Sequence, residues 1–282
     1  MEFYIKRPDC KLYCRAEGKG PLLLLVHGVA CDSDYFRETA RLLTKKYTVV
    51  TYDRRGYTRS QFINAELGNE SVLDDSNALS VKKPDFSMEI QVEDAASVIR
   101  YMNMGAAYVV GSSAGAVLSA ALALRFPELV KALVLHEPVF AEDPQTADGL
   151  QKLTDKIIAC RTQKRGITRA LMTFVEAMDG ADSRAVSKTL AEQARSLKNL
   201  QLFVDYEVEH LLQLSLKEAA DIQCPVYVAA GECDSNGLFC RGAKSAAEQL
   251  GWPLIHAPGY HNMASDLPLD FAVMVIGVLG IQ

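Results

Sequence analysis

The chain has 282 residues, 49% of them hydrophobic and 23% charged, so it can bury a large core in one or two domains. Its formal net charge of −5 provides no positive field for a phosphate backbone, and we expect no nucleic-acid partner. The first residues lack the apolar run of a signal peptide, and no segment is apolar enough to span a membrane. We therefore expect a cytoplasmic protein, monomeric or homodimeric, with no membrane partner.

The cysteines give no sign of a metal site or a disulfide framework. There are seven, an odd number, and none forms a Cys-x-x-Cys pair. Cys10 and Cys14 are four residues apart but lack a second pair of ligands, which zinc would need. We expect free thiols in a reducing cytosol and no bound metal.

In chain order, the first predicted element is a β-hairpin over residues 2–18 that turns at residues 7–9. Short apolar runs bounded by turn residues follow it. They are Leu22–Val26, Val49–Tyr52, Tyr108–Val110, Ala132–Leu135, Val226–Ala229 and Leu254–His256. Runs this short, without polar alternation, are typical of strands that helices cover on both faces.

Helical patterns lie between these runs. Glu89–Met102 is amphipathic, with Ser87 as a predicted N-cap and Gly105 just past its end. Ala114–Arg125 and Phe271–Leu279 are two further predicted helices. Alternation of strands and helices predicts an α/β fold with a mostly parallel, doubly wound sheet.

Two segments interrupt the alternation. Residues 60–86 are polar and irregular, which predicts a lid-like or mobile loop. Residues 140–218 show helical patterns and no strand, so we interpret them as a helical cap inserted into a core of residues 1–139 and 219–282. The clearest helical patterns there are Ile167–Met178 and Leu200–Leu214.

The strongest chemical signal is the G-x-S-x-G segment Gly111–Gly115, between a predicted strand and a predicted helix. In that setting the pattern is a nucleophile elbow, a tight turn that presents the hydroxyl of the middle residue, Ser113. Its glycines allow a strained turn that neighbouring backbone crowds. The Ala114 amide would lie at a helix N-terminus, where it can donate to a developing oxyanion.

An oxyanion hole needs a second amide, and the loop after the first parallel strand supplies it in hydrolases of this type. That loop begins with His27 and Gly28. We predict the Val29 amide as the second donor, with Ala30 as the alternative. We interpret His27 as a structural residue that orients the loop.

The general base is expected late in the chain, and there are only five histidines. His261 lies in a loop just after the last predicted strand, where the histidine of a Ser–acid–His order belongs. We therefore predict His261 as the base. The others are expected to pack or to be solvated: His27, His136, His210 and His256.

Together these motifs resemble the α/β-hydrolase superfamily. The likeness rests on Gly111–Gly115, His27-Gly28, residues 53–56 (Asp-Arg-Arg-Gly) and residues 258–261 (Pro-Gly-Tyr-His), and it excludes the cap. Residues 51–60, Gly111–Ala116 and residues 136–138 are similar to a bacterial subgroup of uncharacterised hydrolases. The segment from Gly111 to Pro138 resembles, more loosely, fungal lactonases that act on zearalenone. We interpret Arg54 and Arg55 as ties between loops, with a contact to a substrate carboxylate as the alternative.

The resemblance leaves two candidates for the triad acid. Glu137 corresponds to the acid of the zearalenone lactonases, and Pro138 is expected to restrict it to extended geometry. Asp234 follows the glycine after strand Val226–Ala229, which is the usual superfamily position, although it would also serve as an N-cap of the helix Leu238–Leu250. We favour Glu137.

The predicted reaction is acyl transfer to water through an acyl-enzyme, without metal or organic cofactor. The expected substrate is a small to medium carboxylic ester or lactone, bound between the sheet edge and the cap. Apolar cap residues are candidates for its pocket: Met172, Phe174, Met178, Phe203 and Tyr206. Three alternatives remain, namely a carbon–carbon bond hydrolase, an acyltransferase and a ligand-binding protein without activity.

Overall fold

A computed structural model describes residues 1–63, 85–140, 144–179, 194–210, 214–232 and 237–280. Its described residues form one sheet of nine strands with helices on both faces. The strands are β1 (Glu2–Lys6), β2 (Cys10–Gly18), β3 (Leu22–Val26), β4 (Thr48–Tyr52), β5 (Gln61–Phe62), β6 (Ala107–Ser112), β7 (Val130–His136), β8 (Val226–Gly231) and β9 (Leu254–Ala257). The predicted hairpin and all six predicted strands are confirmed.

The sheet order is β1-β2-β4-β3-β6-β7-β8-β9, with the short β5 paired to β2. Strands β3, β4 and β6 to β9 run parallel to one another, whereas β2 pairs antiparallel with β1 and with β4 at the edge of the sheet. The carboxyl ends of the parallel strands meet at one edge, and the loops that carry the candidate residues leave from there. The predicted mostly parallel α/β fold is confirmed.

Strand β3 shows why the sheet strands are apolar at every position, without the alternation of a strand that has one face in solvent. Leu22, Leu24 and Val26 pack into the core on one face of the sheet. Leu23 and Leu25 pack into the core on the other face. Because side chains alternate along a strand, both faces of β3 must be apolar when helices cover both.

The helices are α1 (Arg37–Leu43), α2 (Met88–Met102), α3 (Ala114–Arg125), α4 (Pro144–Ala159), α5 (Gly166–Asp179), α6 (Ala194–Leu202), α7 (Leu216–Ala219), α8 (Leu238–Leu250), α9 (Met263–Asp266) and α10 (Pro268–Leu279). The predicted N-cap of α2 is confirmed, since the Ser87 hydroxyl accepts from the Ile90 amide. Its predicted end at Met102 is confirmed, although the capping residue is not Gly105. Asn103 ends the helix in a left-handed conformation with φ 51°, a role that asparagine tolerates, two residues before Gly105.

The residues of the cap segment, 140–218, that the structure describes are mostly helical, with short turns between the helices. The pattern over Leu200–Leu214 does not form one helix, because α6 ends at Leu202 and a π-helical turn, Phe203–Glu207, follows it. Whether the segment is a separate domain stays a prediction. In the predicted loop at residues 60–86, β5 is formed, and residues 64–84 lie outside the described residues.

Disulfides, metal-ligand clusters and membrane-spanning helices can be checked in the described part of the chain. Its six cysteines are free. No cluster of potential metal ligands occurs there. None of its helices combines the length and the apolar character that a bilayer crossing requires.

Candidate active site

Ser113 lies at the junction of β6 and α3 in a strained conformation. Its φ is 58° and its ψ is −126°, a region that residues with a side chain rarely occupy. A side chain on Gly111 would overlap the backbone of Gly115, and one on Gly115 would overlap the end of β3. The two glycines therefore permit the close packing that holds the serine at the carboxyl edge of the sheet.

The loop after β3 runs alongside this turn. A Cβ on Gly28 would lie 3.0 Å from the Ser113 Cβ, so the backbone of the loop is in direct reach of the serine. Val29 and Ser113 line the same cavity, and Ala114 is the first residue of α3. Within the described part of the chain, neither the Val29 nor the Ala114 amide donates to a protein acceptor. Both predicted oxyanion donors thus lie next to Ser113, and their role stays a prediction.

His261 and Glu137 are in direct contact across the carboxyl ends of the sheet. The His261 Nδ1–H donates to Glu137 Oε2 at 2.6 Å, and both side chains are buried. The Gly231 amide, at the end of β8, donates to the other carboxylate oxygen at 2.9 Å. An imidazole held in this way keeps Nε2 free to accept a proton.

The pKa of Glu137 lies below its ordinary value. Burial alone would raise it, but the hydrogen bond and the electrostatic attraction from His261 and the hydrogen bond from the Gly231 amide favour the carboxylate. Glu137 is therefore an ionised partner for the imidazole. The predicted extended geometry of Glu137 is wrong, because its φ is +44°. Its amide donates to Ala229 at 2.9 Å, so the adjacent strand holds this strained turn.

The competing acid, Asp234, lies outside the described residues. The structure therefore brings one of the two candidate carboxylates, Glu137, to His261 and describes nothing of the other. Assignment of the acid stays a prediction.

Two aromatic residues at His261 were missed by the sequence analysis. Phe239 of α8 stacks on the imidazole with ring centroids 4.3 Å apart, and it also lines the cavity with Ser113. The Tyr35 hydroxyl donates to the His261 carbonyl oxygen at 3.4 Å. Both come from parts of the chain without a motif, so no sequence signal pointed to them. They hold the ring and backbone of His261 in place.

The cavity beside Ser113 is narrow, with about 20 Å³ of space for water-sized occupants. Its other lining residues are apolar except for one threonine: Val29, Val139, Leu150, Leu153, Thr154, Ile157, Phe174, Phe203, Val208 and Phe239. Of the predicted pocket residues, Phe174 and Phe203 line it. The prediction is wrong for Met172, which is exposed, and for Tyr206, which stacks on Phe86 instead. The Met178 side chain lies outside the described residues.

Two of the remaining histidines are buried near the site. His27 is fully buried, and its Nε2 accepts from the Arg54 amide at 3.0 Å. His136 is buried at the end of β7, where Nδ1 and the Ser112 hydroxyl are 3.1 Å apart. Burial lowers the pKa of each, so both are neutral packing residues, as expected.

Known proteins share this architecture. The family described as "alpha/beta hydrolase fold" matches residues 21–172. The chain is similar to an uncharacterised hydrolase of Bacillus subtilis, YraK, with 30% identity over 90% of this chain and 87% of the relative. A hydrolase from Pseudomonas aeruginosa has a similar structure, with a TM-score of 0.73, 19% identity and coverage of 99% and 98%.

A third similar structure is the enol-lactonase from Burkholderia xenovorans, with a TM-score of 0.71 and 17% identity, covering 96% of this chain and 97% of that one. At such identity the likeness of the two solved structures concerns the fold. The family match covers more than half of the chain and contains the β3 loop and the Ser113 turn. The chain belongs to the α/β hydrolase fold family.

Proposed function

We propose that this protein is a serine hydrolase that cleaves small carboxylic esters or lactones through an acyl-enzyme. The observation that carries the proposal is the 2.6 Å hydrogen bond from His261 to the ionised Glu137, with Phe239 linking His261 to the cavity of Ser113. The proposal agrees with the names of two similar proteins, an uncharacterised hydrolase and an enol-lactonase. No metal or organic cofactor takes part in the proposed reaction.

In the proposed mechanism, His261 Nε2 removes the proton of the Ser113 hydroxyl as the oxygen attacks the substrate carbonyl. The Val29 and Ala114 amides stabilise the oxyanion that forms. Collapse of this intermediate releases the alcohol, which takes the proton from His261, and leaves the acyl group on Ser113. His261 then activates a water molecule that releases the acid. Glu137 stabilises the imidazolium at each step and holds its tautomer.

The cavity supports a neutral, apolar acyl group. No charged side chain lines it among the residues that the structure describes. A carboxylate on the acyl chain would lose its hydration there without gaining a cationic partner, which costs several kcal/mol. We therefore propose short aliphatic acyl groups as the preferred substrates.

A matched pair of esters tests this proposal. The wild-type protein should hydrolyse p-nitrophenyl butyrate, and kcat/KM for the similarly sized, anionic p-nitrophenyl hemisuccinate should be lower by about 100-fold or more. Ser113→Ala should lose roughly 10⁴ or more in turnover, with an unchanged melting temperature. A Ser113→Ala variant that keeps a tenth of the activity would exclude Ser113 as the nucleophile. Faster hydrolysis of the hemisuccinate would refute the apolar acyl site.

A further inference from the structure

Arg54, which follows β4, connects three parts of the molecule through a fully buried guanidinium group. Its Nη2 donates to the Gly28 carbonyl oxygen at 2.9 Å. Its Nη1 donates to Gln91 of α2 at 2.7 Å and to the Glu207 carboxylate. The same side chain thus contacts both the loop of the predicted oxyanion donor and the cap segment.

Glu207 anchors Arg54 from the cap side. It lies in the π-helical turn Phe203–Glu207, its side chain is 3% exposed, and its second oxygen accepts from the Tyr57 hydroxyl. Phe203 and Val208, on either side of it in the chain, line the cavity of Ser113. A buried ion pair contributes little net stability, because desolvation of the two charges offsets their attraction. The Arg54–Glu207 ion pair, which links the β3 loop to the cap segment, therefore points to a role in the site and not in stability.

Arg54 also determines how His27 bonds to the same carbonyl. The Arg54 amide donates to His27 Nε2 at 3.0 Å, which leaves that nitrogen without a proton. Burial lowers the pKa of His27 to about 3, so the ring is neutral and carries its proton on Nδ1. Nδ1–H then donates to the Gly28 carbonyl oxygen at 2.8 Å. Two donors thus hold one carbonyl group: the Arg54 guanidinium and the His27 ring, whose tautomer is set by the backbone amide of residue 54.

This carbonyl belongs to the peptide unit that contains the Val29 N–H. The peptide is trans, so its N–H points opposite to its C=O. Because the Gly28 oxygen is fixed toward Arg54 and His27, the Val29 N–H is directed away from them. Gly28 and Val29 both adjoin Ser113, so the direction of this N–H bears on the site.

We propose that Arg54, anchored by Glu207 of the cap, is a positioning residue that aims the Val29 amide at the oxyanion. The inference rests on the proposed function. The Arg54 guanidinium group hydrogen-bonds to Gln91, Glu207 and the Gly28 carbonyl oxygen, and it acts through the Gly28–Val29 peptide. An oxyanion donor strengthens its bond only in the transition state, so its misplacement lowers kcat and leaves KM unchanged.

Arg54→Lys tests the proposal, because one ammonium group cannot reproduce a planar fork that bridges Glu207 and the Gly28 oxygen. We expect kcat for p-nitrophenyl butyrate to fall by about ten- to 100-fold, with KM within about twofold. Affinity for butylboronic acid, which forms a tetrahedral anion on serine, should fall by a similar factor. A kcat within about twofold of wild type would overturn the proposal.

Arg55→Lys is the matched control. Arg55 is equally buried, but its partners are Asp94, Asp9 and the Asp85 carbonyl oxygen, all away from Gly28. We expect a lower melting temperature with kcat retained. A loss of kcat in Arg55→Lys as large as that in Arg54→Lys would mean that buried arginines act here through stability alone, and the proposal would be wrong.

If Arg54→Lys does not fold, Glu207→Gln tests the same proposal. This substitution keeps the size of the Glu207 side chain and removes the charge that holds Arg54. We expect a drop in kcat of about three- to tenfold at constant KM, and an unchanged kcat would overturn the proposal. Failure of the proposed function looks different. In that case the wild-type protein itself would neither hydrolyse the ester nor bind the boronic acid.

Discussion

At the scale of single residues, the site depends on two backbone conformations that carry strain. Ser113 has a φ of 58° and Glu137 a φ of 44°, each costing on the order of 1–3 kcal/mol. Both are fixed by neighbouring strands, since the Ser113 amide donates to His136 and the Glu137 amide to Ala229. The strain is retained where side chains must project from the sheet edge.

Two conservative substitutions, each of a carboxylate by its amide, identify the acid of the catalytic triad. Glu137→Gln removes the charge that stabilises the imidazolium and should reduce turnover by roughly 10⁴. Asp234→Asn should keep activity and change stability little, because the N-cap residue of α8 is Gly237, not Asp234 as the sequence suggested, and asparagine caps a helix as well as aspartate does. Turnover and melting temperature of both variants give the answer. An inactive Asp234→Asn beside an active Glu137→Gln would place the acid at the usual superfamily position.

At the scale of elements, the loop after β3 and the cap segment close over Ser113 together. The cavity beside Ser113 has about 20 Å³, room for about one water molecule, so a bound acyl group requires its lining residues to move apart. Residues of α4, α5 and α8 line it together with Val29 of the loop. Spacing between the loop and the Ser113 turn is therefore as important as the identity of the side chains.

Gly28→Ala tests that spacing. The added methyl group would lie 3.0 Å from the Ser113 Cβ and 3.2 Å from the Ser112 carbonyl oxygen, so the loop must shift. We expect kcat for p-nitrophenyl butyrate to fall by about tenfold or more. Gly277→Ala in α10 is the control, because open space surrounds it, and it should retain activity and gain about 0.5–1 kcal/mol. Equal activity of the two variants would contradict the close approach.

At the scale of the whole molecule, two buried neutral histidines make the fold sensitive to acid. Burial lowers the pKa of His136 from 6.5 to about 4 and that of His27 to about 3. Between those values and 6.5 the unfolded chain binds more protons than the folded one. Their contribution to stability is therefore complete above pH 6.5 and is lost as the pH falls toward the folded values.

A His136→Asn variant measures this effect. Urea unfolding of the wild type should show a free energy of unfolding that decreases between pH 6.5 and 4.5. In the variant the decrease should be smaller by up to about 1.4 kcal/mol per pH unit, the contribution of one proton. Identical pH dependence in both proteins would show that His136 takes up its proton without unfolding.

The sequence predicts those features that local chemistry determines. The leucine run of β3 needs both faces covered, and the glycines at 111 and 115 are required by the turn itself. Contacts between residues far apart in the chain have no local sequence pattern and could not be predicted. His261 and Glu137 are 124 positions apart, and Arg54 and Glu207 are 153 apart. The φ of Glu137 also escaped prediction, because adjacent strands impose it against the preference set by Pro138.

Labelling with a fluorophosphonate tests the central claim most directly. The reagent reacts with a serine only when a base removes its proton and an oxyanion hole stabilises the addition. We predict stoichiometric modification at pH 7.5, located by peptide mapping on Ser113 and abolished in Ser113→Ala. Absence of labelling in the folded wild-type protein, or labelling of another residue, would contradict the assignment of Ser113 as an activated nucleophile.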